Sequence, residues 1–359
     1  MKNTNEVETT YFKRVSRWKL TVIILTVALM LSIVLSLNVG FAQIPFSTIL
    51  KILAKRTPFL SDFVDSSNVS YVEEAIIIQI RMPRILAGAL VGAALAAAGV
   101  VYQGIFKNPM ADPYVLGVSA GAAVGASLAI VLGIGFTYLG LSTVPVLAFA
   151  GSLMAVFVVY NVSRVGSRVP VTTLLLSGIA VSIFLSAIVA VLQVIAGERL
   201  HVVVFWLMGG FSYVEWKDVW AVLPLVCLGA VATYFYARDL NIFALGEETA
   251  QHLGVDVERV KQLLLIFGSL ITAAAVSISG LIGFVGLIIP HMTRILIGPD
   301  HRILLPTSII VGATFLVICD AVARVIVSPV ELPVGVITAL SGGPFFIYLL
   351  RKKKEIYTI

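Results

Sequence analysis

RMPRILAGALVGAALAAAGVVYQGIFKNPMADPYVLGVSAGAA, residues 81–123, decides what kind of molecule this is. Two arginines flank a Met-Pro pair, and an uncharged apolar run follows from Ile85 to Ile105. The polar turn FKNPMADP interrupts it, and a second apolar run begins at Tyr114. An α-helix needs roughly 20 apolar residues to cross the hydrocarbon core of a bilayer. The stretch therefore reads as one membrane span, a tight turn and the start of the next. Both runs carry small residues four apart, Gly88, Gly92 and Ala96 in the first and Gly117, Gly121 and Gly125 in the second. Such faces let helix backbones approach closely where no hydrophobic force drives helices together. They suit packing within one chain and contact between two chains equally.

The same pattern extends along the chain. Apolar windows bounded by Pro, Gly or charge fall at about 20–39, 85–105, 114–133, 139–161, 171–196, 218–237, 260–278, 281–297, 303–323 and 334–350. Ten spans with the turns between them leave room for little else in the 359 residues, of which 59% are hydrophobic and only 12% charged, with a mean hydropathy of +1.03. Soluble domains carry roughly 25% charged residues. The composition thus makes the bilayer the solvent and leaves no room for a separate soluble catalytic domain. The chain is read as a single all-α transmembrane domain, 1–359. Its first run, Leu20 to Val39, follows Lys13, Arg14, Arg17 and Lys19 as a signal peptide would. It exceeds the 7–15 residues of a signal h-region, and Gly40-Phe41-Ala42 is a poor cleavage site, so it is read as a retained helix.

An even number of spans places both termini on one side. With the N-terminus in the cytoplasm, most of the 25 Lys and Arg fall inside, among them Lys107, Arg164, Arg168, Arg238, Arg259, Arg294, Arg302 and the run Arg351 to Lys354. Cytoplasmic excess in short loops is the positive-inside signature. The scatter of basic residues between apolar segments also argues against a nucleic-acid partner. Outside lies a long loop, about 40–84, with Pro45, Pro58, the polar stretch Ser61 to Ser70 and an amphipathic piece, Phe46 to Ala54, expected along the membrane surface. Inside lies 238–259, where Leu245, Ala250 and Leu253 are broken by Gly246 and Gly254. That patterning predicts short helices joined by tight turns.

The sequence holds no catalytic signature. It lacks the G-x-x-x-x-G-K-[ST] phosphate cradle, H-E-x-x-H, G-x-S-x-G and any paired-cysteine motif. Cys227 and Cys319 lie in separate apolar runs and read as buried thiols. His291, within a span, reads as part of a structural helix-end network with Pro290 and Arg294. Asp320 stands inside the ninth window with Arg324 at i+4, on the same helix face, where the two can pair. The pair lies toward the outer end of its span, whereas a proton-coupled carrier needs acidic groups near the midplane. No enzyme activity and no cofactor are expected.

Residues 81–123 together with LGEETAQHLGV (245–255), GFVGLIIPHMTRILIGPDHRILLP (283–306) and ELPVGVITALSGGPFFIYLL (331–350) closely resemble the FecCD-like permease subunits of type II ABC importers. Those proteins take up ferric siderophores, haem and vitamin B12. The resemblance implies a BtuC-like fold of ten-helix subunits paired as a homodimer, or as a heterodimer of related permeases, with the solute path along the subunit interface. It implies two ABC ATPase subunits on the cytoplasmic side, a solute-binding protein outside, and an inverted relation between spans two to five and seven to ten.

Matching positions give expected sites. Asn108 and Met110 would narrow the inner mouth, with Val171 and Thr172 as a second constriction, while the Asn108-Pro109 pair also reads as a helix-ending turn. Leu245, Gly246, Glu247, Ala250, Leu253 and Gly254 would form the ATPase-coupling element. Arg81, Arg84 and Arg324 would dock the binding protein; the competing expectation is that Asp320 or Glu331 satisfies Arg324 and lipid phosphate satisfies Arg81 or Arg84. The expected solute is a ferric siderophore, with cobalamin, haem or an oxyanion behind it. An ion-driven secondary transporter is the rival class.

Overall fold

A computed structural model describes residues 4–57, 69–134, 137–138, 141–166 and 168–357. Pro58 and the polar stretch from Ser61 to residue 68 lie outside them, as do the side chains of Lys13, Arg14 and residues 352–354. Each apolar window carries a helix: α1 (Thr4–Asn38), α3 (Tyr71–Ile105), α4 (Val118–Leu132), α5 (Thr143–Ser163), α6 (Val171–Ile195), α8 (Trp216–Phe235), α11 (Val257–Ser279), α12 (Val285–Ile297), α13 (His301–Ala323) and α14 (Val334–Tyr357). Four short helices lie between them, α2 (Phe46–Lys55), α7 (Leu200–Met208), α9 (Ala237–Phe243) and α10 (Glu247–His252). A two-residue hairpin, β1 (Thr137–Tyr138) with β2 (Leu141–Ser142), leads into α5.

Among the described residues, seven helices are long and apolar enough to cross a membrane, while α4, α12 and the apolar part of α14 are shorter. The 15 residues of α4 and 13 of α12 rise about 20 Å, less than the hydrocarbon thickness. Irregular backbone precedes both. Before α4 comes a 3-10 turn, Pro113–Leu116, ending at Gly117 with φ +78°. Before α12 the chain leaves helix at Gly280, φ +67°, and re-enters at Phe284, φ +70°. The two breaks meet: the Tyr114 hydroxyl donates to the Ile282 carbonyl (3.0 Å) and accepts from the Ile282 N–H (3.2 Å). Non-helical backbone at membrane depth persists only where protein satisfies it, and here one phenol serves both polar groups of one residue.

Burial sorts the helices. The most apolar window of α3 is 78% buried and that of α11 72%, against 11% for α1 and 22% for α5 and α6. The long α3 is therefore the axis of the bundle, packed by α13, α11, α12 and α8. Its small residues make this possible. A Cβ on Gly92 would overlap the Gly312 carbonyl of α13, and one on Gly99 the Gly286 carbonyl of α12. Gly121 and Gly125 likewise meet Gly151 and Leu147 of α5. Both small-residue stripes thus pack within the chain.

The supposed outer loop is largely helical. Helix α3 starts at Tyr71, where Ser70 accepts from Val72 N–H and Glu73 accepts from Ser70 N–H in a capping box. Its second segment, Ile76–Arg81, is a π-helix. Pro83, two residues on, has no N–H, and in this i→i−5 geometry its missing donor leaves the Ile78 carbonyl orphaned. The Trp216 indole donates to that carbonyl at 2.8 Å. Helix α2 turns Ile49 and Ile52 onto Leu37, Ile77, Ile85 and Val317, so its apolar side faces protein. Its end is tied to α3 by Lys55 and Arg56, at 3.1 and 2.8 Å from Glu74. Cys319 is buried as expected, but Cys227 is exposed, on the outward side of α8. Sequence hydropathy cannot separate an outward-facing position from an inward one when both surroundings are apolar.

Candidate functional site

One end of the bundle gathers the chain around α9 and α10. Gly246, φ +117°, opens α10, and Ala250 N–H returns to its carbonyl at 3.0 Å. The helix closes in a Schellman motif, with Gly254 N–H on Gln251 O (2.9 Å) and Val255 N–H on Ala250 O (3.0 Å). Gly254 takes φ +86°, which a side chain would strain. Ala250 is fully buried, whereas Leu245 and Leu253 are 65% and 59% exposed. Two leucines thus stand out on a rigid double turn. Asn241 fastens α9 to the bundle by donating to Asp300 (2.9 Å) and accepting from His301 N–H (2.8 Å). Asp300 caps α13 and pairs with Arg302 at 2.7 Å, and the Arg302 guanidinium holds the Asp300 carboxyl well below the usual carboxylate range. Glu247, first residue of α10, meets Lys261 of α11 at 3.1 Å.

The expected constrictions lie at the same end. After α3, Lys107 takes φ +49°, and the Asn108 side chain accepts from Met110 N–H at 2.9 Å. Asn108 is exposed and Met110 half-buried, so the helix-ending turn and a displayed side chain coexist. Val171 and Thr172 open α6 after Pro170, Val171 half-buried and Thr172 exposed. The 3-10 turn that follows Met110 rests on α6, where the Val115 carbonyl occupies the space a Cβ on Gly178 would need. Beyond Thr172, Leu176, Ile179, Ile183 and Phe184 remain more than half exposed. An apolar groove of about 400 Å³, lined by Gly121, Gly151, Met154, Ala180, Phe184 and Leu185, opens between α4, α5 and α6.

At the opposite end stand the three arginines. Arg81, Arg84 and Arg324 are 5%, 6% and 4% exposed. Arg84 pairs with Asp320 (2.9 Å) and Glu331 (2.6 Å), and Arg324 with Asp320 (3.1 Å). Arg81 donates to the carbonyls of Leu37 and Ala42, and Arg324 to those of Ser36 and Val39 and to the Ser36 hydroxyl. Two guanidiniums therefore cap the C-terminal carbonyls of α1, where the helix dipole favours cations. The sequence paired Arg324 with Asp320; it did not reveal the closure of α1 or the second carboxylate on Arg84. Within this chain each of the three arginines is already engaged by partners of its own. Carbonyls at the end of SLN (36–38), which need donors, were the available signal.

The assembled features define a polytopic helical membrane protein: a buried helical axis, two broken helices meeting at their breaks, and an exposed double turn at one end. The model of the FecCD transport family matches residues 28–352. The chain is 50% identical over 281 residues to the cobalamin import system permease protein BtuC of Halobacterium salinarum, covering 78% of this chain and 74% of that one. It is 40% identical to the hemin transport system permease protein HmuU of Yersinia pestis, covering 77% and 84%. A solved inward-facing conformation of an ABC transporter, described as of the metal-chelate type, superposes with a TM-score of 0.79 at 34% identity, covering 92% and 98%. The chain belongs to the FecCD transport family and is an ABC importer permease, a membrane protein whose ATPase is a separate subunit.

Proposed function

We propose that this permease imports a metal chelate, with the double turn 245–255 seated in its ATPase and both termini in the cytoplasm. The exposure of Leu245 and Leu253, on the turns either side of a helix that buries Ala250, carries the reading. Apolar side chains held out from a polar segment closed by its own hydrogen bonds suit contact with a partner protein. On this assignment Asn108, Met110, Val171 and Thr172 lie on the ATPase side and narrow the path. The path itself follows the outward face of α6, completed by a second permease, either a copy or a related chain. A ferric siderophore is the solute expected from the sequence, and the 50% identity to a cobalamin permease supports cobalamin as the second. The arginines brace the outer mouth on which the binding protein seats, Glu331, whose side chain is 41% exposed, being the group they present.

Leu253→Asp tests the coupling element. The variant is expected to insert and pair normally, lose the ATPase on purification and lose uptake, while normal uptake would sink the assignment. For the constriction, cysteines at Asn108 or Met110 should crosslink between permeases in one nucleotide state only, because ATP must favour one arrangement. Uptake of labelled cobalamin against a labelled ferric siderophore separates the two solutes.

A further inference from the structure

The end of the bundle that bears α10 holds a polar connection that neither the exposed turn nor the constriction accounts for. Lys261 sits one turn into α11 with its side chain 5% exposed, between Glu247 of α10 and Glu258 of its own helix, each at 3.1 Å. The second oxygen of Glu258 accepts from Val169 N–H at 3.2 Å. Val169 is 2% exposed, next to the Pro170 that opens α6, and two residues before Val171. The segment leading to it is folded back by the bridge between Val165 and Arg168. A continuous line of charge-assisted hydrogen bonds therefore runs from the first residue of α10, through Lys261 and Glu258, to the foot of α6.

Packing alone does not require this line. Burying an ammonium costs desolvation that its carboxylates only offset, so an apolar side chain of equal length would join α10 to α11 at least as well. A buried ion pair differs from apolar contact in direction and specificity, since moving one partner displaces the other. We propose that Lys261 is a positioning residue that transmits displacement of α10 to the foot of α6, and so to Val171 and Thr172. The proposal rests on the reading of 245–255 as the ATPase-coupling element. Two segments apart in sequence then respond as one body: Glu247 moves with the ATPase, Lys261 follows both carboxylates, and Glu258 draws the Val169 backbone.

The test uses the full complex of permease, ATPase and binding protein in proteoliposomes, with a nitroxide on Thr172→Cys. It reads the nucleotide-dependent spectral change and solute moved per ATP. Lys261→Met should keep the ATPase bound and hydrolysing ATP, abolish the spectral change and lower solute per ATP on the order of tenfold, within the range of ordinary allosteric coupling. Lys261→Arg, which retains charge and donors, should restore both. An unchanged spectral response and transport ratio in Lys261→Met would overturn the proposal. If that variant fails to assemble, Glu258→Gln decides: a reduced ratio supports the relay and an unchanged one overturns it. Leu253→Asp, run in parallel, separates the two readings. An ATPase that still binds it overturns the coupling element, whereas loss of binding alongside a normal Lys261→Met overturns the relay alone.

Discussion

Replacing Asp320 by Asn probes the arginine brace, at the end of the bundle opposite α10, with little change of shape. Asp320 is 0% exposed and lies between Arg84 at 2.9 Å and Arg324 at 3.1 Å. The amide keeps one acceptor but turns a donor toward a guanidinium and removes the charge that offsets both. Breaking a buried pair by removing one partner costs about 3–5 kcal/mol. Arg84 retains Glu331, and Arg324 retains the oxygens of Ser36 and Val39, so the low end applies, about 3 kcal/mol. Glu331→Gln removes the more exposed partner, whose side chain is 41% exposed, and should cost less than about 1 kcal/mol. Denaturant unfolding of the purified permease in detergent measures both. The α1 end should also become accessible: a cysteine at Ser36 is expected to react faster with a soluble maleimide in Asp320→Asn. Equal stability of the two variants, or a more stable Asp320→Asn, would refute the brace and return the arginines to direct docking.

Three further outcomes follow from other parts of the bundle. Trp216→Phe should cost about 1–3 kcal/mol by stranding the Ile78 carbonyl, and Pro83→Ala in that background should recover part of it by restoring an N–H, both read by the same unfolding. Gly312→Val should fail to yield folded permease or destabilise it by about 1–3 kcal/mol, because its side chain would enter the Gly92 backbone. Asp300→Asn should destabilise most at neutral pH. The Asp300 carboxyl is depressed by Arg302, so its contribution is present above the unfolded value of about 3.9 and is lost as pH falls below it; a difference from wild type that grew on acidification would contradict this.

Hydropathy made the ten helices legible because a span must satisfy its own backbone and face an apolar solvent, and both demands are written locally. The helix-ending turn at Asn108-Pro109 and the closure at Gly254 were legible for the same reason: each depends on a few adjacent residues. The extension of α3 back to Tyr71 was not. Its signals, Ser70 with Glu73 and a proline at 83, are local, but the polar residues around them read as loop until Trp216, far along the chain, supplies the missing donor. The arginines show the same limit. Their residue type suits a partner's carboxylates or the chain's own, and only the approach of α1 and α13 selects the latter. Lys261 read only as one more basic residue near a span end, where a lysine ordinarily snorkels, and of its two carboxylate partners Glu247 lies beyond a turn.

Uptake by proteoliposomes containing the permease, its ATPase and its binding protein tests the central claim most directly. Solute should accumulate only with ATP inside the ATPase-bearing compartment, stop with an ATPase-inactive subunit or with Leu253→Asp, and continue when ionophores collapse every ion gradient. Accumulation by the permease alone, driven by an imposed ion gradient and indifferent to ATP, would contradict the account and make this chain a secondary carrier.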